Sequence, residues 1–347
     1  MKILKFIPAL LPLLMAGCLE IDTNTQINPD GSVERTIELK GSASSIAKTS
    51  FNIPRVDAEL WEITRDSIGD DNFLYHAQRS FDSVDDMNTS FEANTNPQRV
   101  KIKSKLIQSE GLFFSRYYYQ EKLWADLPGP DLSLDEYLSE LELQNLILND
   151  TDIGAGTLDS LEAERLEQQL DLYFQHRIFG DFVEELRIGA KLSGTLQILN
   201  EVLENQQDSL VVKLGKTNYY DENQVWISVL EDYFDNKIIE SIHENNAEGL
   251  SHFYARWQFF EEALLNDYSF SIELPGVVRN TSALDVRGNR MTWDGEAILL
   301  YFGGIQLEAE SSIIRVWSVV ITAILFLLTL VVTVLSFLRQ RSAHKQI

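Results

Sequence analysis

Cysteine is almost absent. The 347 residues contain one, Cys18, which excludes a disulfide framework and any cysteine-rich metal or cluster site. Basic residues are scarce as well: 29 Lys plus Arg stand against 53 Asp plus Glu, a formal net charge of −24. Phosphate contacts need clustered cations, so nucleic-acid binders drop out. No internal repeat of fixed period is visible. The hydrophobic share of 44% is enough for a packed core, and the length suggests about two domains at roughly 150 residues each.

Catalytic signatures are missing too. A zinc-protease helix needs two His flanking a Glu on one face, but His243 and Glu244 are adjacent and the next His is His252. Gly154 and Gly156 lack the downstream Lys of a phosphate loop, and no Ser occupies a Gly-x-Ser-x-Gly elbow. Asp66, Asp70, Asp71 and Asn72 form an acidic cluster without calcium-loop spacing, and read as a solvated loop. Glu184 with Glu185, and Glu261 with Glu262, are neighbours on helices and so diverge by about 100°. Tyr117, Tyr118, Tyr119 and Trp124 concentrate aromatic area in a strand, where core packing is the default reading and a binding groove the alternative. The expectation is a non-enzymatic protein with no cofactor and no metal site.

The ends of the chain are more informative. Lys2 and Lys5 precede the apolar stretch Phe6 to Met15, with small residues at Ala16 and Gly17, as in an export signal. The run Leu14, Met15, Ala16, Gly17, Cys18 resembles the lipobox of bacterial lipoproteins, with Met15 where Leu is usual. That resemblance implies cleavage between Gly17 and Cys18 and a diacylglyceryl group on the Cys18 thiol. At the other end, Val316 to Leu338 is a run of 23 residues without charge, Pro or Gly. At about 1.5 Å per residue it is long enough to cross a hydrocarbon core of about 30 Å. Trp317 marks one interface, and Arg339, Arg341, His344 and Lys345 follow the other, which puts the C-terminus in the cytoplasm and the bulk of the chain outside it. The expected location is the bacterial cytoplasmic membrane, held by an acyl anchor plus a transmembrane helix, with both anchors in the same outer leaflet.

Between the anchors the segments alternate in texture. Ile21, Thr23, Thr25 and Ile27, then Val33, Ile37 and Leu39, flank the turn formers Asn28 to Gly31 and predict a hairpin. Val100, Ile102 and Leu106, a turn at Ser109 to Gly111, and Leu112 to Tyr119 predict a second. Leu60 to Ile68 and Phe73 to Phe91 read as strands with a short helix. After Pro128, Gly129 and Pro130 the residues favour helices up to about Tyr268. Strand texture then returns at Tyr268 to Leu274, around Gly288 and Trp293, and closes at Ala297 to Phe302. The fold class expected is α+β: a β-rich extracytoplasmic domain with a large helical insertion, plus one C-terminal transmembrane helix. The divisions are 1–17 signal peptide, 18–130 and 267–314 the two parts of the β-rich domain, 131–266 an acidic helical insertion, 315–338 the membrane helix and 339–347 a basic tail. Three consecutive units are the alternative.

A lipid-attachment Cys opening into a hairpin with Asp30 and Gly31 at its turn, then Leu274, Pro275 and Gly276, then Gly288, Asn289 and Trp293, then a single membrane helix, resembles the LppM-type family of bacterial envelope lipoproteins. The resemblance covers about 150 residues at the ends of the ectodomain and leaves the helical segment unmatched. It implies an α+β ectodomain held at the membrane, without an established enzymatic activity.

The functional expectation is a membrane-tethered envelope lipoprotein whose ectodomain binds a protein partner as an assembly, adaptor or maintenance factor. Alternatives are a lipid- or amphiphile-binding ectodomain and a hydrolase with an unrecognised site. Residues 131–266 hold 28 acidic and 8 basic residues and are the expected partner surface. In the membrane helix, Ser318, Thr322, Thr329, Thr333 and Ser336 fall within an arc of about 60°, the expected face for a second copy or a polytopic partner. The competing reading has each hydroxyl bonded within its own helix.

Overall fold

The computed structural model describes residues 19–49, 51, 60–69, 71–92, 99–140, 142, 160–216, 230–295 and 297–343. The fold is α+β. In chain order the strands and helices begin β1 (Glu20–Ile27), β2 (Val33–Ser42), α1 (Ala43–Lys48), β3 (Glu62–Ser67), β4 (Asn72–Phe81), α2 (Val84–Glu92), β5 (Lys101–Glu110) and β6 (Phe114–Trp124). Helices α3 (Ser160–Ser193), α4 (Leu196–Lys216), α5 (Asn236–Asn245) and α6 (Ala247–Leu264) follow. The chain closes with β7 (Asp267–Glu273), β8 (Val277–Thr281), β9 (Asp285–Arg287), β10 (Arg290–Gly295), α7 (Ala297–Tyr301), β11 (Ile305–Ile314) and α8 (Val316–Ala343).

The strands form two sheets, a seven-stranded one in the order β3-β4-β2-β1-β7-β10-β9 and a four-stranded one in the order β5-β6-β11-β8. Each joins strands from both sides of the helical segment: β1 runs parallel to β7, and β6 runs antiparallel to β11. The β1–β2 hairpin forms because side chains alternate in and out at a period of two while the turn suits its residues. Gly31 takes a left-handed φ of 92°, and the Asp30 carboxylate accepts the Ser32 N–H at 3.0 Å and the Ser32 hydroxyl at 2.7 Å. Those two bonds hold the Asp30 pKa below its usual value.

The inward faces carry Ile21, Val33, Ile37, Leu39, Phe270 and Ile272 from one sheet and Ile102, Tyr119, Leu123 and Leu307 from the other, all buried. One apolar cluster runs from this interior through α7 into the helical segment, reaching Phe182, Phe253 and Trp257. Ala297 to Phe302, read from sequence as the close of the strand region, instead forms the helix α7, and the strand after it, β11, was absent from that reading. β11 is one of the two inner strands of the four-stranded sheet and leads into α8.

Candidate functional site: the C-terminal helix, its root and the helical segment

The C-terminal helix is the plainest functional feature. Val316–Leu335 is a 20-residue apolar span with an 18-residue window of mean hydropathy 2.8, none of that window buried inside the molecule, and by length and composition it can cross a membrane. An apolar helix with no packed face needs a nonaqueous neighbour on all sides. Of the hydroxyl stripe, Thr322 donates to the Ser318 carbonyl at 2.7 Å, Thr329 to Leu325 at 2.8 Å and Thr333 to Thr329 at 2.8 Å. These three hydroxyls are therefore satisfied within their own helix. The Ser336 side chain, Gly17 and Cys18 lie outside the described residues.

The two sheets fix which end of the folded region meets this helix. β11 ends at Ile314, one residue before α8, opposite Phe114 of β6. Arg315 donates its backbone N–H to the Phe113 carbonyl at 2.8 Å. Its guanidinium bonds the Gly111 carbonyl at 3.2 Å and pairs with Glu110 at 3.0 Å. The helix root is thus fastened to the β5–β6 turn. The opposite end of β11 lies beside α7, where Ala125 donates to the Leu300 carbonyl at 2.8 Å. The helical segment leaves the sandwich there, and β7 re-enters there after α6. β1, parallel to β7, starts at the same end, with the Leu19 carbonyl accepting from Asp267 N–H at 3.0 Å. Gly295, paired with Tyr268, holds that level against Ile305: a Cβ on it would lie 2.6 Å from Ile305 Cδ1. Ile305 and Ile314 are the two ends of the ten-residue β11, about 30 Å apart at strand rise.

Helices α3 to α6 pack as a unit. Gly189 lets α3 cross α5 closely, since a Cβ there would come within 2.5 Å of the Ile242 carbonyl oxygen. Asp181 accepts from Trp257 Nε1 at 2.9 Å and pairs with Arg256 at 2.8 Å, while Glu185 pairs with Arg256 at 3.2 Å and accepts from Asn246 at 3.0 Å. Sequence reading named Glu185 but passed over Asp181, because no helical spacing marks which acid meets a cation from another helix. The partner Glu184 is exposed, as is His252, and His243 is half-buried. Glu261 and Glu262 lie on α6, but their side chains are outside the described residues, as are Gly154, Gly156 and Asp70. Asp66 is exposed on β3. Among the described residues no group of three or more His, Cys, Asp or Glu could hold a metal ion.

At the α3–α4 turn the surface changes character. Ile188, Leu192 and Ile198 are exposed. Between the two helices an open groove of about 480 Å³ is lined by Ile188, Leu196 and Leu203 with Arg187, Lys191 and Glu204. A second cavity, among Phe182, Leu199, Phe234, Ile239 and Ile242, measures about 10 Å³, room for a water molecule at most.

Of the aromatic run, Tyr117 and Tyr119 point inward and Tyr118 outward. Tyr117 donates to the Pro29 carbonyl at 2.9 Å, which ties β6 to the β1–β2 turn of the other sheet, while Tyr119 donates to Glu121 of its own strand at 2.6 Å.

No family model and no curated protein matches the chain. Among solved structures, the folded domain of the LppM protein of Mycobacterium tuberculosis, determined by NMR, aligns over 85% of this chain and 90% of that one, at 8% identity and a TM-score of 0.30.

Proposed function

We propose that the chain is a membrane-tethered bacterial envelope lipoprotein of non-enzymatic type, whose helical segment docks a protein partner. The observation that carries this reading is the surface of that segment, whose α3–α4 turn exposes Ile188, Leu192 and Ile198 beside an open groove. Uncovered apolar side chains rimmed by charge are the ordinary signature of a docking surface, and a groove between helices accepts an amphipathic segment. The net negative charge of residues 131–266, 28 acids against 8 bases, favours a partner with a basic face and faster association at low salt. The cytoplasmic membrane remains the proposed location, with the tail after α8 on the cytoplasmic side. A lipid-binding interior gains no support from the packed sandwich, whose inward positions are filled by side chains.

The test is co-purification from the native membrane with full-length protein and with an Ile188→Asp, Leu192→Asp, Ile198→Asp variant. All three sites are exposed, so the variant keeps the fold, checked by circular dichroism. The expected outcome is loss of the partner by the variant and slower association of the wild type as salt is raised. Retention of every partner by the folded variant would refute the assignment.

A further inference from the structure

Helix α8 emerges from an end of the four-stranded sheet that carries uncovered apolar side chains of its own. Leu112 at the β5–β6 turn is 71% exposed and Val277 at the start of β8 is 62% exposed, with Phe114 and Ile314 beside them also exposed. Register makes these residues neighbours: Ile314 faces Phe114, and Val277 pairs with Ser312 two residues earlier on β11. The turn itself reads Gly111, Leu112, Phe113, Phe114. A solvent-facing turn ordinarily carries Asn, Asp, Ser or Gly throughout, so three consecutive large apolar residues call for a covering phase.

Two further observations say what covers them. Arg315 fastens the turn to the helix root through three polar contacts, at Phe113, Gly111 and Glu110. Only Arg315 separates Ile314 from the first residue of α8, so the patch is held at the depth where that helix enters the bilayer. The charge here also runs against the rest of the ectodomain. Arg116 faces Ser312, Arg279 donates to the Ser312 hydroxyl at 2.7 Å, and Arg315 adds a third cation, against the acids Glu110 and, beside Tyr117, Asp30.

We propose that the end formed by Leu112, Phe114, Val277 and Ile314 dips into the interfacial layer of the membrane crossed by α8, with its arginines at the headgroups. The apolar side chains reach the acyl boundary, as at the buried face of an interfacial element, while arginine guanidinium groups stay in the polar layer. Anionic headgroups strengthen the contact. The proposal rests on the membrane-tethered reading.

The experiment uses the full chain in a Cys18→Ala background, with single labelling sites Leu112→Cys, Val277→Cys, Leu192→Cys and Val331→Cys. Each carries an environment-sensitive nitrobenzoxadiazole and is reconstituted into phosphatidylcholine vesicles with or without phosphatidylglycerol, doped with lipids spin-labelled near the carbonyl or deep in the chain. The expected result is loss of more than half the emission at 112 and 277 with the shallow quencher, more with phosphatidylglycerol, and none at 192. The label at 331 should be quenched by the deep probe. Quenching at 331 with 112 and 277 behaving like 192 overturns the inserted tip while leaving the tether intact. If labels at 112 and 277 are shielded from aqueous iodide yet unquenched by lipid, a second copy covers the patch and the proposal fails. No quenching at 331 overturns the tether reading and this proposal with it.

Discussion

Arg35 and Glu121 lie 86 positions apart and meet between the sheets, 1% and 0% exposed. Arg35 Nη1 reaches both carboxylate oxygens at 3.0 Å and also bonds Thr25, while Oε2 accepts from Ser104 at 2.9 Å and Tyr119 at 2.6 Å. Burial, then the Glu121 charge, push the Tyr119 phenol well above its ordinary pKa, so it stays a donor. A buried pair is worth little against a well-packed apolar replacement, yet breaking it strands a charge. Arg35→Met or Glu121→Leu alone is therefore expected to cost about 3–5 kcal/mol, and the double change Arg35→Met with Glu121→Leu far less. Denaturant melts of the four proteins measure this, and additive losses would mean that the two side chains are not coupled. The sequence showed half of this arrangement. Arg35 shares the inward register of Val33, Ile37 and Leu39, so its facing was readable. Its partner was not, because Glu121 comes from the other sheet and no local period relates two sheets.

At the scale of elements, what is local was legible and what is assembled was not. Both predicted hairpins form, β1–β2 about Asn28 to Gly31 and β5–β6 about Gly111, since turn chemistry and alternation act within a dozen residues. β11 escaped notice because Ala309, Ser311 and Ser312 are weak strand formers, and burial between β6 and β8 decides their state. The break at Pro128, Gly129 and Pro130 was readable as punctuation, but not its seat. Gly129 takes a φ of 83° and leaves no room for a Cβ against the Arg177 carbonyl oxygen at 2.9 Å, and Pro130 fills the notch left by Gly180. The buried Arg177 guanidinium of α3 then closes over the link, donating to the carbonyls of Pro128 at 3.1 Å, Leu127 at 3.3 Å and Gly129 at 3.3 Å, and to Tyr173 Oη at 2.9 Å. This side chain ties the helical segment to the link out of the sandwich, beside the ring contacts Phe260–Tyr301 and Phe174–Phe302. Arg177→Met should cost about 1–3 kcal/mol through unpaired buried carbonyls. The loss should be local. Amide exchange should quicken in residues 125–131 and along α3 while β1 and β2 keep their protection, and uniform quickening across the sandwich would show that the clamp is not a separate unit.

For the whole molecule, the positions of the two ends matter more than either end alone. The start of β1 sits level with Ile305, about 30 Å along the strands from the root of α8. Cys18 is one residue before Leu19, and one peptide unit spans only about 3.8 Å. The simple picture of both anchors rising side by side from one leaflet therefore does not fit a sandwich standing upright on α8, which would hold the acyl chains far out in water. On the proposed reading, with α8 crossing a bilayer and acyl chains on Cys18 entering the same one, the strands lie along the membrane surface, with the β5–β6 turn at one contact and Leu19 at the other. Lys40, exposed and paired with Glu20 at 2.7 Å, reports on that second contact. In the acylated protein Cys18 has no free thiol, so Lys40→Cys is uniquely labelled, and energy transfer to an acceptor at the lipid surface gives its height. The expected outcome is a short distance in the acylated protein and a longer one, by up to about 30 Å of strand length, when Cys18→Ala removes the lipid and frees that end. An unchanged distance would mean that no acyl chain from Cys18 enters this bilayer, and that α8 with the fastened turn sets the posture of the ectodomain alone.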